Sequence, residues 1–154
     1  MTNLFPGLAA IALYSGGFVY HLLQLRSNIQ LNPSRLQQIA ALALGAHLIA
    51  VINFLLQPQG LDLSLVKIFA LLAFAINLIV FFSGLTKTQH SLYLLLFPIS
   101  SITILMAFTF PSSKPVMVLT HTMQVHVLLS IMAYSLLSIA ALQALFTGLL
   151  DRQL

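Results

Sequence analysis

Four polar side chains recur at four-residue intervals in the last apolar segment of the chain. His126, Ser130, Tyr134 and Ser138 form this row within QVHVLLSIMAYSLLSIAALQALFTGLL, residues 124–150. Residues four apart lie on one face of an α-helix, so the row predicts a slowly spiralling polar stripe. Imidazole binds metals and haem iron, and hydroxyls donate hydrogen bonds. The stripe is therefore either the wall of a ligand site or a polar seam between helices, and we expect it to face the bundle interior or a cavity.

A second histidine, His47, lies in the middle of another apolar segment. It is about eleven residues beyond Leu36, or roughly 16 Å along a helix. A neutral imidazole at that depth needs a partner for its N–H group. A hydrogen bond to another helix would provide one, and Asn53 and Asn77 are comparable polar positions. Alternatively, His47 binds a metal or a porphyrin.

Other groups suited to catalysis are few. The chain has no cysteine and two acidic residues, Asp62 and Asp151, which lie at the ends of predicted helices. The absence of cysteine excludes disulfides and thiolate metal sites. No pair of carboxylates shares a site, no glycine-rich phosphate loop is present, and no serine has a base and an acid to activate it. We therefore predict that the protein is not an enzyme. For Lys67, which lies near Asp62, we predict that the side chain snorkels to the membrane interface.

The composition indicates that the surrounding solvent is lipid. Hydrophobic residues make up 60% of the chain and charged residues only 5%, whereas a soluble domain carries about 25% charged residues. The lipid bilayer is thus the first expected partner. Six basic residues stand against two acidic ones. In a membrane protein such an excess reflects the orientation of the chain in the membrane, so it does not indicate a nucleic-acid partner.

Five apolar stretches have the roughly 20 residues that a membrane span requires. We predict an all-α, polytopic membrane helical bundle forming one domain over residues 1–154, with helices at about 4–25, 36–56, 63–82, 91–110 and 124–150. Arg26, Arg35, Lys87 and Arg152 fall on one side, against Lys67 and Lys114 on the other. Because cytoplasmic loops are enriched in Lys and Arg, this distribution places the N-terminus outside and the C-terminus in the cytoplasm.

Three segments, taken in order, resemble a known family. They are LALGAHLIAV (42–51), LDLSLVKIFALLAFAINL (61–78) and VHVLLSIMAYSLLSIAALQALFTGLLDRQL (125–154). Together they are similar to the N-terminal portion of the cytochrome c assembly protein superfamily, in its CcsA/HemX/YpjD-like inner-membrane branch. The resemblance implies the bacterial inner membrane and, as partners, cytochrome c assembly components. It also implies a second chain or a homodimer that supplies the remaining helices of the family.

The resemblance further implies a haem-handling function at the outer face of the membrane. His126 matches an external histidine that is an axial ligand of haem iron, and His47 more loosely matches a transmembrane histidine that would hold haem earlier. Ser130 and Tyr134 would line the space beneath His126. Haem would be held transiently and presented to the assembly machinery.

Two other functions remain open. A HemX-like regulatory or scaffold subunit would use the same fold without haem and bind a partner from the tetrapyrrole pathway, with His47 and His126 serving only in packing and hydrogen bonding. A small transporter is the third option, although the predicted helices contain no acidic residue for proton coupling.

Overall fold

The computed structural model describes residues 4–26, 32–58, 60–85, 90–110 and 120–151. The described chain is helical apart from one small ribbon. Its α-helices are α1 (Leu4–Arg26), α2 (Pro33–Leu55), α3 (Leu65–Gly84), α4 (Tyr93–Thr109) and α5 (His121–Asp151). The prediction of an all-helical chain with five helices is confirmed. The ribbon that the sequence did not predict pairs β1 (Leu56–Gln57) with β2 (Gly60–Leu61) in antiparallel register.

Four of these helices, α1, α2, α3 and α5, are long and apolar enough to cross a membrane. The fifth, α4, has 17 residues, which is about 25 Å of helix. A 3₁₀ turn at His90–Leu92 precedes it and adds about 6 Å. Together they reach about the 30 Å thickness of a hydrocarbon core.

Helices α1 to α4 form a four-helix core. α1 packs against α2 and α4, and α3 packs against the same two helices. Fully buried side chains from three of these helices fill the centre, among them Tyr14, Leu36, Phe97 and Ile104. α5 lies outside this core and packs mainly on α3. The longest helix thus lies at the edge of the core and adds the partly buried side chains of Ile139 and Leu142 to it.

Close helix contact in the core depends on two glycines of α1. A Cβ atom placed on Gly17 would lie 2.6 Å from Cε2 of Phe97 and 3.0 Å from Cγ2 of Ile39. A Cβ atom on Gly7 would overlap the ring of Phe108. The neighbouring Gly16 has no such contact within 4 Å. Small residues let helices approach at these points, as is common in membrane bundles.

The ribbon lies at one end of the bundle, which we call the ribbon end. Gly60 adopts a φ of 140°, which glycine tolerates because it has no Cβ. Beyond it, the Asp62 carboxylate accepts a hydrogen bond from the Ser64 backbone and pairs with the ammonium of Lys67. Both side chains of the ion pair are nearly buried. Lys67 thus pairs with Asp62 at this end of α3, and the snorkelling of its side chain to the membrane interface stays a prediction.

Candidate functional site

His47 lies at the centre of the core, where side chains of two other helices contact its ring. Its Nδ1 atom and the hydroxyl of Tyr14 on α1 are joined by a hydrogen bond of 3.1 Å. The ring of Phe74 on α3 meets the imidazole edge-on, with ring centroids 5.6 Å apart. His47 has 0% of its surface exposed. The hydrogen bond to another helix, one of the two interpretations of His47, is thus present, and its partner is a tyrosine that the sequence did not single out.

The second ring nitrogen of His47 is less well satisfied. The backbone of Ala70 interacts with the imidazole, but Nε2 has no hydrogen bond of good geometry within the described part of the chain. Axial ligation of haem requires open space in front of the coordinating nitrogen, for the iron and the porphyrin around it. The enclosed ring leaves none. The surroundings of His47 therefore do not fit haem in this conformation.

A second polar contact joins α3 to α4. Nδ2 of Asn77 donates hydrogen bonds to Oγ of Ser100, at 2.7 Å, and to the carbonyl of Ala73, at 2.8 Å. Ser100 in turn donates to the carbonyl of Leu96 at 2.7 Å. Both Asn77 and Ser100 are buried. This contact ties the helix that contains Pro98 to its neighbour, and we assign it a structural role.

The polar stripe of α5 does not point into the bundle. His126 and Tyr134 are exposed, with 62% of the Tyr134 surface accessible, and Ser130 and Ser138 are half-buried. The face that packs towards the core instead contains Ser135, which is 0% exposed. Ser135 follows His126 by nine residues, which at 100° per residue is the opposite side of the helix. The prediction that the stripe faces the interior is wrong for a single copy of the chain.

The outer histidines also lie differently from the prediction. α5 begins at His121, three residues before the predicted start at residue 124, so His126 lies more than one turn inside the helix. Five residues place the two imidazoles about 140° apart around the axis. His126 has no hydrogen-bond partner among the described residues and stays accessible, whereas His47 is enclosed in the core. The structure does not bring these two proposed ligands together.

An apolar groove of about 190 Å³ opens between α3, α5 and the ribbon end. Its walls are formed by Leu55, Leu61, Leu63, Leu71, Gln124, Val127, Leu128 and Ile131. The α5 residues of this set occupy the face opposite His126. Small-molecule sites usually enclose about 300–1,000 Å³, so the groove is too small for a porphyrin and has no histidine to bind the iron.

Groups that would bind a metal ion are likewise scattered. Within the described ranges, no three His, Cys, Asp or Glu side chains come together. The side chains of His90 and Asp151 lie outside the described residues. The described residues thus place no such group of ligands around His126.

No protein-family model, curated protein or solved structure matches this chain. The resemblance to cytochrome c assembly proteins thus stays a prediction that depends on the three quoted segments alone. For the described residues, the structure establishes a helical protein in which α1, α2, α3 and α5 are long and apolar enough to cross a membrane. His47 is enclosed in its core, and His126 and Tyr134 of α5 are exposed.

Proposed function

We propose that this chain is a non-catalytic membrane subunit that assembles with another membrane protein through α5. In this proposal the four-helix core is a scaffold and α5 is its docking element. This is the scaffold function considered from the sequence, except that the partner is not assigned to the tetrapyrrole pathway. We place the subunit in a bacterial inner membrane, with its N-terminus outside.

The observation that carries this proposal is the exposure of α5. Only 6% of its most apolar stretch is buried, against 39% for the corresponding stretch of α2. Its outward surface also carries the imidazole of His126 and the hydroxyl of Tyr134. Polar side chains in membrane helices usually face protein, where they find hydrogen-bond partners that lipid does not offer. A partner helix on this surface would provide them.

The core adds a second argument. Its buried polar groups contact one another across helices, as Tyr14 does with His47 and Asn77 with Ser100. Such contacts fix how the helices of the core pack against one another. A bundle held by such contacts, with one largely uncovered helix, suits a subunit that supports a complex.

The proposal is tested by the size of the complex. The chain is released from native membranes with a polymer that retains the surrounding lipid, and its mass is measured by native mass spectrometry. We expect a complex larger than one copy, and its disruption by Ala140→Leu on the outward side of α5. A matched change on α2, Ala41→Leu, should leave the complex intact. Release of single copies from wild-type membranes would overturn the proposal.

Haem presentation is a second candidate, favoured by the accessible imidazole of His126. In this version the docking surface of α5 and a partner would together enclose haem, which would supply redox-active iron, and the imidazole of His126 would be one of the groups that hold it. Ser130 and Tyr134, which follow at one and two turns, would offer hydroxyls to the same space. Cytochrome c assembly components would be the partners.

Haem binding is tested by the absorption spectrum of the purified protein. Protein expressed with ample haem is expected to copurify with a Soret absorption band that weakens in His126→Ala. His121→Ala is the matched control, since it removes another exposed histidine from the same helix. Haem-free wild-type protein, recovered in its complex, would exclude this candidate while leaving the scaffold proposal standing.

A further inference from the structure

We propose that the end of the bundle opposite the ribbon binds the headgroup of an anionic phospholipid through Arg26 and Arg35. The inference rests on the membrane location proposed above, but not on the docking role of α5. Arg26 is the last residue of α1, and Arg35 lies in the first turn of α2. Both side chains are exposed. They lie at the same end of the bundle because only residues 27–32 separate the two helices.

The chain holds too few acids to neutralise this end from within. It has two acidic residues, and the carboxylate of Asp62 pairs with Lys67 at the ribbon end. The other, Asp151, ends α5, and its side chain lies outside the described residues. Even with Asp151 counted, one acid stands against two arginines at this end. The surplus positive charge is therefore left to anions outside the protein.

The surface of α1 beside Arg26 favours a lipid over a soluble anion. Leu22 and Val19 precede Arg26 by four and seven residues, so the three side chains share one face of the helix. Leu22 is 46% exposed and Val19 50%. This face therefore carries a positive charge at its end and an uncovered apolar strip along the helix from it. A phospholipid offers a phosphate and an acyl chain in the same order.

Arginine also suits the phosphate group in its chemistry. A guanidinium donates two parallel hydrogen bonds to phosphate oxygens and stays charged at any physiological pH. By the orientation proposed above, this end faces the cytoplasmic leaflet, whose surface is negatively charged. The headgroup of phosphatidylcholine carries a compensating positive charge, so we infer a preference for a headgroup with net negative charge. Each basic residue near such a surface strengthens binding about fivefold.

The absence of tryptophan from the chain allows the bound lipid to be identified by fluorescence. Leu22→Trp places a single fluorophore one turn from Arg26. Leu8→Trp is the matched control, because Leu8 is 57% exposed and lies on the same face of α1, five turns before Arg26. Each protein is reconstituted into vesicles of phosphatidylcholine and phosphatidylglycerol, with bromine on the acyl chains of one lipid at a time. We expect stronger quenching by brominated phosphatidylglycerol at position 22 and equal quenching by both lipids at position 8.

Charge variants in the Leu22→Trp protein identify the groups that bind the headgroup. Arg26→Gln and Arg35→Gln should each lower the binding constant for phosphatidylglycerol, relative to phosphatidylcholine, about fivefold. Arg26→Lys keeps the charge but loses the paired donors, so a smaller loss is expected. Lys114→Gln removes one positive charge from the side of the membrane on which the sequence places Lys114, and it should leave the preference unchanged.

The outcomes that would overturn the inference are distinct. Equal quenching by the two brominated lipids at position 22, or an equal preference for phosphatidylglycerol at positions 8 and 22, would exclude the site. Loss of the preference when inorganic phosphate is added in excess at constant ionic strength would show that the site takes a free anion, and would overturn the lipid assignment. Single copies of the chain that prefer phosphatidylglycerol would contradict the proposed assembly through α5 and leave this inference standing.

Discussion

At the centre of the core, Tyr14 and His47 hold α1 and α2 together through a hydrogen bond, and Phe74 of α3 closes the space beside them. The sequence identified His47 as a buried imidazole in need of a partner. It did not identify Tyr14, because α1 shows no polar periodicity that separates this tyrosine from Tyr20. Only the crossing of two helices brings the pair together, and a crossing point cannot be read from either helix alone.

Removing this contact should destabilise the bundle. Tyr14→Phe leaves a buried nitrogen without its partner, which costs about 1–3 kcal/mol, and His47→Ala adds a cavity, for a total of about 2–5 kcal/mol. Unfolding in detergent, followed by circular dichroism, measures both. The exposed Tyr134→Phe is the matched control and should change stability by less than about 0.5 kcal/mol. A fully stable His47→Ala variant that loses haem would contradict the structural role of His47.

Among the elements, the helices themselves were predictable, since each apolar stretch has the length and composition of a span. The orientation of α5 was not. One side of α5 carries the polar stripe, and the other side carries Ser135 among apolar residues. The spacing of the polar residues along the sequence predicts that the stripe faces the interior. Packing on α3 reverses this assignment because Ser135 fits the close contact between the helices, with its hydroxyl bonded to the carbonyl of Ile131 of the same helix. The orientation of α5 depends on the surface of α3 against which it packs, and the sequence of α5 alone does not reveal that surface.

The seam between α5 and α3 should be sensitive to bulk at Ser135. Ser135→Leu overpacks a fully buried position and is expected to cost about 1–3 kcal/mol, loosening α5 from α3. Hydrogen exchange of the α5 amides in detergent should then accelerate. Ala133→Leu, on the exposed side, should leave the exchange of α5 as in wild type. Equal exchange in the two variants would show that α5 does not pack on α3 through this face.

For the whole molecule, an odd number of spans places the two chain ends on opposite sides of the membrane. The basic residues give the direction, and α4 together with its preceding 3₁₀ turn has the length to be the fifth span. α5 is 31 residues long, or about 46 Å, so it tilts or extends beyond a core of about 30 Å. The number of crossings and their direction remain proposals drawn from charge and length.

The absence of cysteine makes the topology directly measurable. Thr120→Cys at the ribbon end and Ser34→Cys at the opposite end are both exposed positions. A membrane-impermeant maleimide applied to intact cells should label Thr120→Cys, whereas Ser34→Cys should react only after permeabilisation. The reverse pattern would invert the proposed orientation. Labelling of both sites in intact cells would contradict an arrangement in which they lie on opposite sides.

The most direct test of the proposed assembly uses a photo-reactive amino acid at matched positions of α5 and α2. Leu137 and Leu42 are equally exposed, at 65% and 64%, and both face away from the core. If α5 is the docking element, illumination of native membranes should give a discrete protein adduct from position 137 and only lipid adducts from position 42. Lipid adducts alone from position 137, or equal protein adducts from both positions, would contradict the account.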